Sequence, residues 1–219
     1  TWFVTGYTPF IRAASHAEKS RFYTFYRRDK MDIERGLSLA IAVNGTYWLP
    51  SGNLARIGPM PGIGLQMHMG FDNLFFGFLM DFRFGRTATA YNFFNENTGM
   101  LEQNSQFFGL MIGLDFKWAF LSFDQLSILA VGGLGYDIIS HYSVPRYSRL
   151  KPAFSDSFNL NAGLGVRYYF HEDKTLFLES EFRIHRASFG TAGTGGDDLS
   201  GHYYTIFLTV GYKITFIKD

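Results

Sequence analysis

The sequence predicts an all-β protein: an eight-stranded antiparallel up-and-down transmembrane β-barrel with an N-terminal extension. Three observations predict it. Apolar residues recur at every second position in eight stretches between residues 37 and 216. The connections between these stretches alternate between long and short. The opposite face of the stretches collects nearly all their charges, with as many acids as bases. Successive strand side chains point to opposite faces, so each stretch has one apolar and one polar side. A soluble sheet buries its apolar side, whereas a transmembrane barrel turns it to lipid and sets aromatic residues at the two interfaces.

Residues 1–36 stand outside the pattern and are read as an extension, periplasmic or packed on the barrel; residues 37–216 are the barrel. In the extension Arg12, Lys19, Arg21, Arg27, Arg28, Lys30 and Arg35 outnumber Glu18, Asp29, Asp32 and Glu34. Its plain reading is an ordered segment lying against or plugging the barrel. Its sharper reading is a docking arm on the periplasmic side. There Arg21, Arg27 and Arg28 beside Phe22, Tyr23, Phe25 and Tyr26 combine charge with aromatic area, a mixture enriched in protein interfaces.

The first strand runs from Leu37 to Trp48, with Leu37, Leu39, Ile41, Val43 and Tyr47 on the apolar face. Leu49-Pro-Ser-Gly-Asn opens a loop with strong turn chemistry. The second strand is Gly62 to Phe71, turned at Asp72-Asn73 into the third, Leu74 to about Tyr91. Asn92 to Ser105 is polar and reads as a loop. The fourth strand is Phe107 to Trp118, and a link over Phe120 to Asp124 leads to the fifth, Leu126 to Ile138. A loop over 140–156 precedes the sixth, Phe158 to Phe170. His171-Glu-Asp-Lys174 is a short polar turn into the seventh, Leu176 to Phe189. A glycine-rich loop, Thr191 to Gly201, leads to the eighth. Each strand supplies at least the roughly 9–11 residues that a tilted strand needs to cross the hydrocarbon. Long loops on one side and short turns on the other are the pattern of an outer-membrane barrel.

The eighth strand, His202 to Phe216, is the most regular. Tyr204, Ile206, Leu208, Val210, Tyr212, Ile214 and Phe216 share one face. Its end, Gly211-Tyr212-Lys213-Ile214-Thr215-Phe216, resembles the C-terminal β-signal of bacterial outer-membrane barrels. Gly211, Tyr212, Ile214 and Phe216 carry that resemblance, which implies recognition by the barrel assembly machinery. Ile217-Lys218-Asp219 follows, a departure from the usual terminal Phe.

The inward face carries Asp81, Asp115, Asp137, Glu179 and Glu181 against Arg83, Lys117, Arg167, Arg183 and Lys213, with His68 and His185. Buried charges are tolerable when they pair and are hydrogen-bonded. An eight-stranded barrel is just wide enough for side chains to fill. The expectation is therefore a lumen plugged by a charge network, with inward glycines such as Gly77 and Gly163 making room. Glu179-x-Glu181-x-Arg183-x-His185 is read as a lumen ladder rather than a catalytic or metal cluster. His141, His171 and His202 are read as surface or girdle histidines. Gly132-Gly-Leu-Gly135 matches a dinucleotide-binding loop superficially, but it lies inside a strand with no helix after it. No catalytic residue, metal or cofactor is expected.

Composition narrows the classes. The 25 Phe and 13 Tyr bring aromatics to 19%, well above an ordinary soluble domain. The net charge of +1 offers no nucleic-acid footprint. Absence of cysteine excludes disulfides, thiol nucleophiles and Cys-ligated zinc. The first residues lack the basic and apolar regions of a signal peptide, so an exported chain is expected to be in its mature form.

Residues 37–216 resemble the small outer-membrane barrels of Gram-negative bacteria, of the OmpA, OmpX and PagP type. Strand count, loop alternation and Gly211 to Phe216 carry the resemblance. It implies a multi-pass protein of the cell outer membrane in contact with outer-membrane lipids. OmpA's periplasmic peptidoglycan-binding domain is not expected, so wall anchoring would need another subunit. The aromatic-rich style and Leu49-Pro-Ser-Gly-Asn-Leu54 resemble barrels of the Bacteroidota, which include the PorG-like subunit of the type IX secretion apparatus. The favoured function is a non-enzymatic membrane anchor or accessory subunit of a larger outer-membrane complex, with a protein partner. A barrel enzyme acting on lipid, as a deacylase or acyltransferase, has no matching His/Ser motif. A small-solute channel conflicts with balanced lumen charge. A lipocalin-like barrel conflicts with a charged interior.

Overall fold

The computed structural model describes residues 36–95, 99–143, 153–171, 174–189 and 196–216. The docking residues Arg21, Phe22, Tyr23, Phe25, Tyr26, Arg27 and Arg28 lie outside the described residues. Eight antiparallel strands close into a barrel in chain order: β1 Leu37–Pro50, β2 Met60–Phe71, β3 Leu74–Asn95, β4 Met100–Phe123, β5 Leu126–Ser143, β6 Ala153–Tyr169, β7 Leu176–Phe189 and β8 Leu199–Thr215. β1 completes the ring by pairing with β8, from Ser38↔Thr215 to Pro50↔Tyr203. Closure gives the strand backbones their partners within the sheet, which a hydrocarbon surrounding demands. The start of β1, the end of β8 and the connections 72–73, 124–125 and 170–175 share one end, which the short turns mark as periplasmic.

Across the membrane-spanning part the alternation follows the predicted register. Leu164 is 61% exposed and Leu114 66%, whereas Glu179 and Arg183 are 0% exposed. Aromatic residues frame the exposed apolar band. Trp118, Tyr168, Phe170, Tyr212 and Phe216 lie toward the periplasmic end, and Tyr47, Phe84 and Phe158 toward the other. Such an exterior is stable only against lipid.

The predicted loops are shorter than expected. The stretch 92–105, read as a loop, is mostly strand: β3 runs on to Asn95 and β4 begins at Met100 rather than Phe107. Tyr91↔Asn104 and Phe93↔Glu102 pair across this hairpin, and Tyr91, Phe93 and Asn104 are buried. Asn92 and Gln103 lie opposite each other on its exposed face. A hydrated outer face gave the stretch the composition of a loop. For the same reason β5 extends to Ser143, β6 begins at Ala153 and β8 at Leu199, so the predicted loops 140–156 and 191–201 are shortened. The link over 120–124 is also largely strand, with the turn at Asp124-Gln125.

The inward glycines do more than make room. A Cβ on Gly163 would collide with the Phe182 carbonyl oxygen, and one on Gly77 with that of Met67. These are backbone atoms, so no side-chain rotation relieves the contact. The glycines permit the neighbouring strand backbone to approach closely at these positions.

Candidate functional site

The interior is stacked in layers. Near the periplasmic end, Phe75 groups with Ala119, Leu129 and Val131, while Tyr169 and Phe177 group with Ala40 and Ala42. Arg167 stands over the rings of Phe75 and Phe177 at 4.6 and 4.5 Å. Lys213 lies 4.9 Å from the Tyr169 ring centre. A guanidinium over an aromatic face is attracted by the ring quadrupole, and the attraction grows when water is excluded.

Above this layer six predicted lumen residues form one network. Lys117 Nζ lies 2.5 Å from Glu179 and also pairs with Glu181, and it donates to Gln66 at 2.8 Å. Arg167 Nε donates to Glu179 at 2.6 Å. Arg183 Nε donates to Glu181 at 2.6 Å, while its terminal nitrogens grip both oxygens of Asp115. His68 Nε2 lies 2.8 Å from Asp115 Oδ2. Three acids face three bases, and the forked Arg183 contact satisfies the carboxylate along two directions.

A second layer holds Asp81, Arg83 and Asp137. Arg83 donates to Asp81 at 2.7 Å and to Asp137 at 3.2 Å. Two carboxylates here share one guanidinium. Neutral donors supply the rest: Thr46 to Asp81 at 2.8 Å, Tyr203 to Asp137 at 2.6 Å and Asn159 to Asp137 at 2.7 Å. Leu79, Met111 and Phe207 form an apolar cluster of their own. The ten predicted lumen charges thus fall into a group of six, a group of three, and Lys213 over Tyr169.

The mouth at the long-loop end carries structure that the sequence did not disclose. A 3₁₀ turn, Gly52–Arg56, lies between β1 and β2. It buries Leu54, and with it Ile57 and Met60, among Trp48, Tyr91, Phe93, Ile139, Phe189, Leu199 and Tyr203. The turn is latched at its rim. Ser51 N and Oγ both donate to the His202 carbonyl at 2.8 Å, and Asn53 donates to Asp198 at 2.8 Å. Arg56 pairs with Asp197 at 2.9 Å, and Asp197 bonds the β3 backbone at Asn92 in both directions. Ser200 and Asn53, which both donate to Asp198, hold its carboxyl below the usual aspartate range.

His141 corrects the expectation of a surface or girdle histidine: it is 1% exposed inside the mouth. Its Nε2 lies 2.8 Å from Ser155 Oγ and its Nδ1 2.8 Å from the Tyr91 hydroxyl. A serine beside a histidine invites a nucleophilic reading. Its surroundings oppose it: the pair is buried in the mouth, and Asn104 donates to the Tyr91 oxygen at 2.7 Å, so both ring nitrogens are engaged within a closed hydrogen-bonded group. Phe93 stacks on the ring at 4.9 Å, and the group acts as a polar strut within an apolar cluster. His171 and His202 are exposed, and His185 is buried against Tyr203 with ring centres 4.3 Å apart. Alternation could have located His141 inside, had the stretch beyond Ile138 been read as strand.

In the predicted assembly signal, Tyr212, Ile214 and Phe216 point outward and Gly211 inward. A Cβ on Gly211 would collide with Cζ of Phe177, so the glycine seats that ring. Among the described residues, no group of three or more His, Cys, Asp or Glu is placed to hold a metal ion.

No protein-family model matches this chain, and no curated protein matches it. Solved structures do. Neisserial surface protein A (NspA) is 14% identical with a TM-score of 0.50, covering 83% of this chain and 97% of its own. The N-terminal β-barrel domain of Pseudomonas aeruginosa OprF is 13% identical with a TM-score of 0.51, covering 83% and 99%. A major outer membrane protein from Thermus thermophilus is 9% identical with a TM-score of 0.50, covering 81% and 99%. At such identities the likeness is one of fold. With that fold, an apolar exterior of membrane height and an interior of paired charges, the chain is a small eight-stranded β-barrel of the outer membrane, crossing it many times.

Proposed function

We propose that this barrel is a non-enzymatic membrane anchor or accessory subunit of an outer-membrane complex, its lumen plugged rather than conducting. The observation that carries the reading is the buried, paired charge of the interior. Two paired charge layers fill the belt, and the latched turn at Gly52–Arg56 roofs them. A solute would have to break buried ion pairs to pass, and breaking one costs about 3–5 kcal/mol. The His141–Ser155 pair is buried inside the mouth, away from the lipid-facing wall, which weighs against a lipid-modifying enzyme. Contacts with a protein partner are left to the exposed rim and to the basic aromatic segment from Arg21 to Arg28. Leu49 to Leu54 and the aromatic-rich composition favour a PorG-like accessory barrel of the Bacteroidota within this class. Gly211, Tyr212, Ile214 and Phe216 serve as the signal read by the barrel assembly machinery.

Two measurements test the proposal. Planar-bilayer recordings of the purified barrel should show no steady conductance; large reproducible channels would replace the anchor reading with a channel. Purification from native membranes in mild detergent should carry a protein partner along. A chain starting at Gly36 should fold as a heat-modifiable barrel and lose that partner. If it keeps every partner, docking belongs to the rim instead.

A further inference from the structure

On β7 and β8 the outer wall changes character at one height. Outward residues on β7 read Leu178, Ser180, Phe182, Ile184, then Arg186 and Ser188; on β8 they read Tyr212, Val210, Leu208, Ile206, Tyr204, then His202 and Ser200. Arg186 and His202 are directly opposite in the β7–β8 register, and both are exposed. Opposite side chains on paired strands have Cβ atoms about 4.5–5.5 Å apart, so the two heads can act on one group. Counting from Leu176 at the periplasmic turn, Arg186 follows about ten residues of crossing, the length a tilted strand needs to span the hydrocarbon. The pair therefore sits where outer-leaflet acyl chains meet their headgroups.

The charges around it leave it available. Of the described rim carboxylates, Asp156 is bonded by Tyr136, Glu102 by Asn95, Asp197 by Arg56, and Asp198 by Asn53 and Ser200. Arg186 has no side-chain partner among the described residues. Beneath the pair Phe182 and Tyr204 stack with ring centres 5.8 Å apart, and beside Arg186 its β6 neighbour Leu160 is 65% exposed. A guanidinium at this position matches a phosphate, which it can hold through two parallel hydrogen bonds. The aromatic and aliphatic surface below matches acyl chains.

We infer that Arg186 and His202 bind the phosphoryl group of an outer-leaflet lipid whose acyl chains lie along Phe182, Ile184, Tyr204 and Leu160. The site is independent of any protein partner, so its failure would leave the anchor reading untouched. The test uses the full chain in nonionic detergent with bis-phosphorylated lipid A as probe, and bound lipid is read by native mass spectrometry. The Arg186→Gln/His202→Gln double variant should stay heat-modifiable and lose about tenfold in bound lipid, as expected for a lost charge-assisted pair. Dephosphorylated lipid A should show the same loss on the unaltered protein. Arg56→Gln, which touches only the latch, should bind as the unaltered chain does. Equal binding by the double variant, or equal binding of the dephosphorylated lipid, overturns the inference. Displacement of the lipid by an equimolar amount of inorganic phosphate also overturns it, since the acyl chains would then contribute nothing.

Discussion

The membrane belt and the crown above it are built from the same strands with opposite polarity. In the belt Leu164 and Leu114 face out while Glu179 and Arg183 face in. In the crown Tyr91, Phe93, Ile139, Phe189 and Leu199 face in while Asn92, Gln103, Ser188 and Ser200 lie on the outer or less buried side. Along β1, β7 and β8 the two-residue period runs through unchanged while the solvent changes. Lipid outside the belt accepts apolar side chains and forces polar groups to find partners inside. Water outside the crown restores the usual order and permits an apolar core. On β7 and β8 the pattern therefore inverts without a break in register, and the exposed Arg186 and His202 mark the inversion; the β3–β4 pairing instead shifts register between Arg86 and Tyr91, and the β4–β5 pairing between Asn104 and Gln106.

The comparison breaks most sharply at a belt-interior charge. Lys117→Met should cost about 3–5 kcal/mol, because Glu179 and Glu181 would remain buried with a shared cation gone. The readout is the urea midpoint of folding into liposomes. Adding Glu181→Gln should recover part of that loss, since the two side chains act in one network. A single variant as stable as the parent would mean that the interior is wet enough to screen its charges.

The next effect lies on the outside. Leu164→Arg, at mid-depth on β6, should cost about 2–4 kcal/mol. Asn92→Arg, on the outer face of the crown, should stay within about 0.5 kcal/mol, the ordinary range for a surface change. Equal costs would place both positions in the same solvent and remove the boundary between belt and crown.

That boundary explains what could be read from the sequence. Eight strands, their order, the outward set and all ten lumen charges were legible, because apolar residues recur outward and charges fall inward where lipid lies outside. The crown was not. Asn92, Asn95 and Asn104 with Gly99 gave the composition of a loop, although Tyr91 and Phe93 kept the period. His141 was placed at the surface because the strand was ended at Ile138. The 3₁₀ lid depends on Leu54, Asp197 and Asp198 meeting across more than a hundred residues of chain, and no local pattern encodes such a meeting. Which charges pair was also illegible, since the barrel's tilt and register set the distances between faces.

The crown interior answers to a smaller perturbation. Leu54→Ala should cost about 2 kcal/mol, near the lower end for a buried leucine because a surface turn can settle into the space. The loss should be local. Protease cleavage within 51–59 should accelerate while the barrel remains heat-modifiable, and a matching loss of global stability would show the lid to be part of the belt's folding unit.

The smallest effect tests whether the crown, unlike the belt, responds to the pH of the water outside. Asp198 is exposed to that water, and its carboxylate accepts from Ser200 and Asn53. These bonds favour the charged form and hold its pKa below the ordinary aspartate value. A group with a depressed folded-state pKa contributes stability above its unfolded pKa and loses it as pH falls through the folded one. The latch should therefore be fully set at neutral pH and loosen only in the acid range below that of a free aspartate. Arg56 and Asp197 form a second latch beside it, so the lid should loosen in part. Amide hydrogen exchange of residues 51–57, followed from neutral to acid pH, should show an acid-side rise in the parent. In Asp198→Asn the side-chain carbonyl can still accept from Asn53, but no proton is bound in this range. That variant should show faster exchange at neutral pH and no step attributable to this group on acidification. The belt strands should show no corresponding change, because the lipid that shields their charges also withholds the protons.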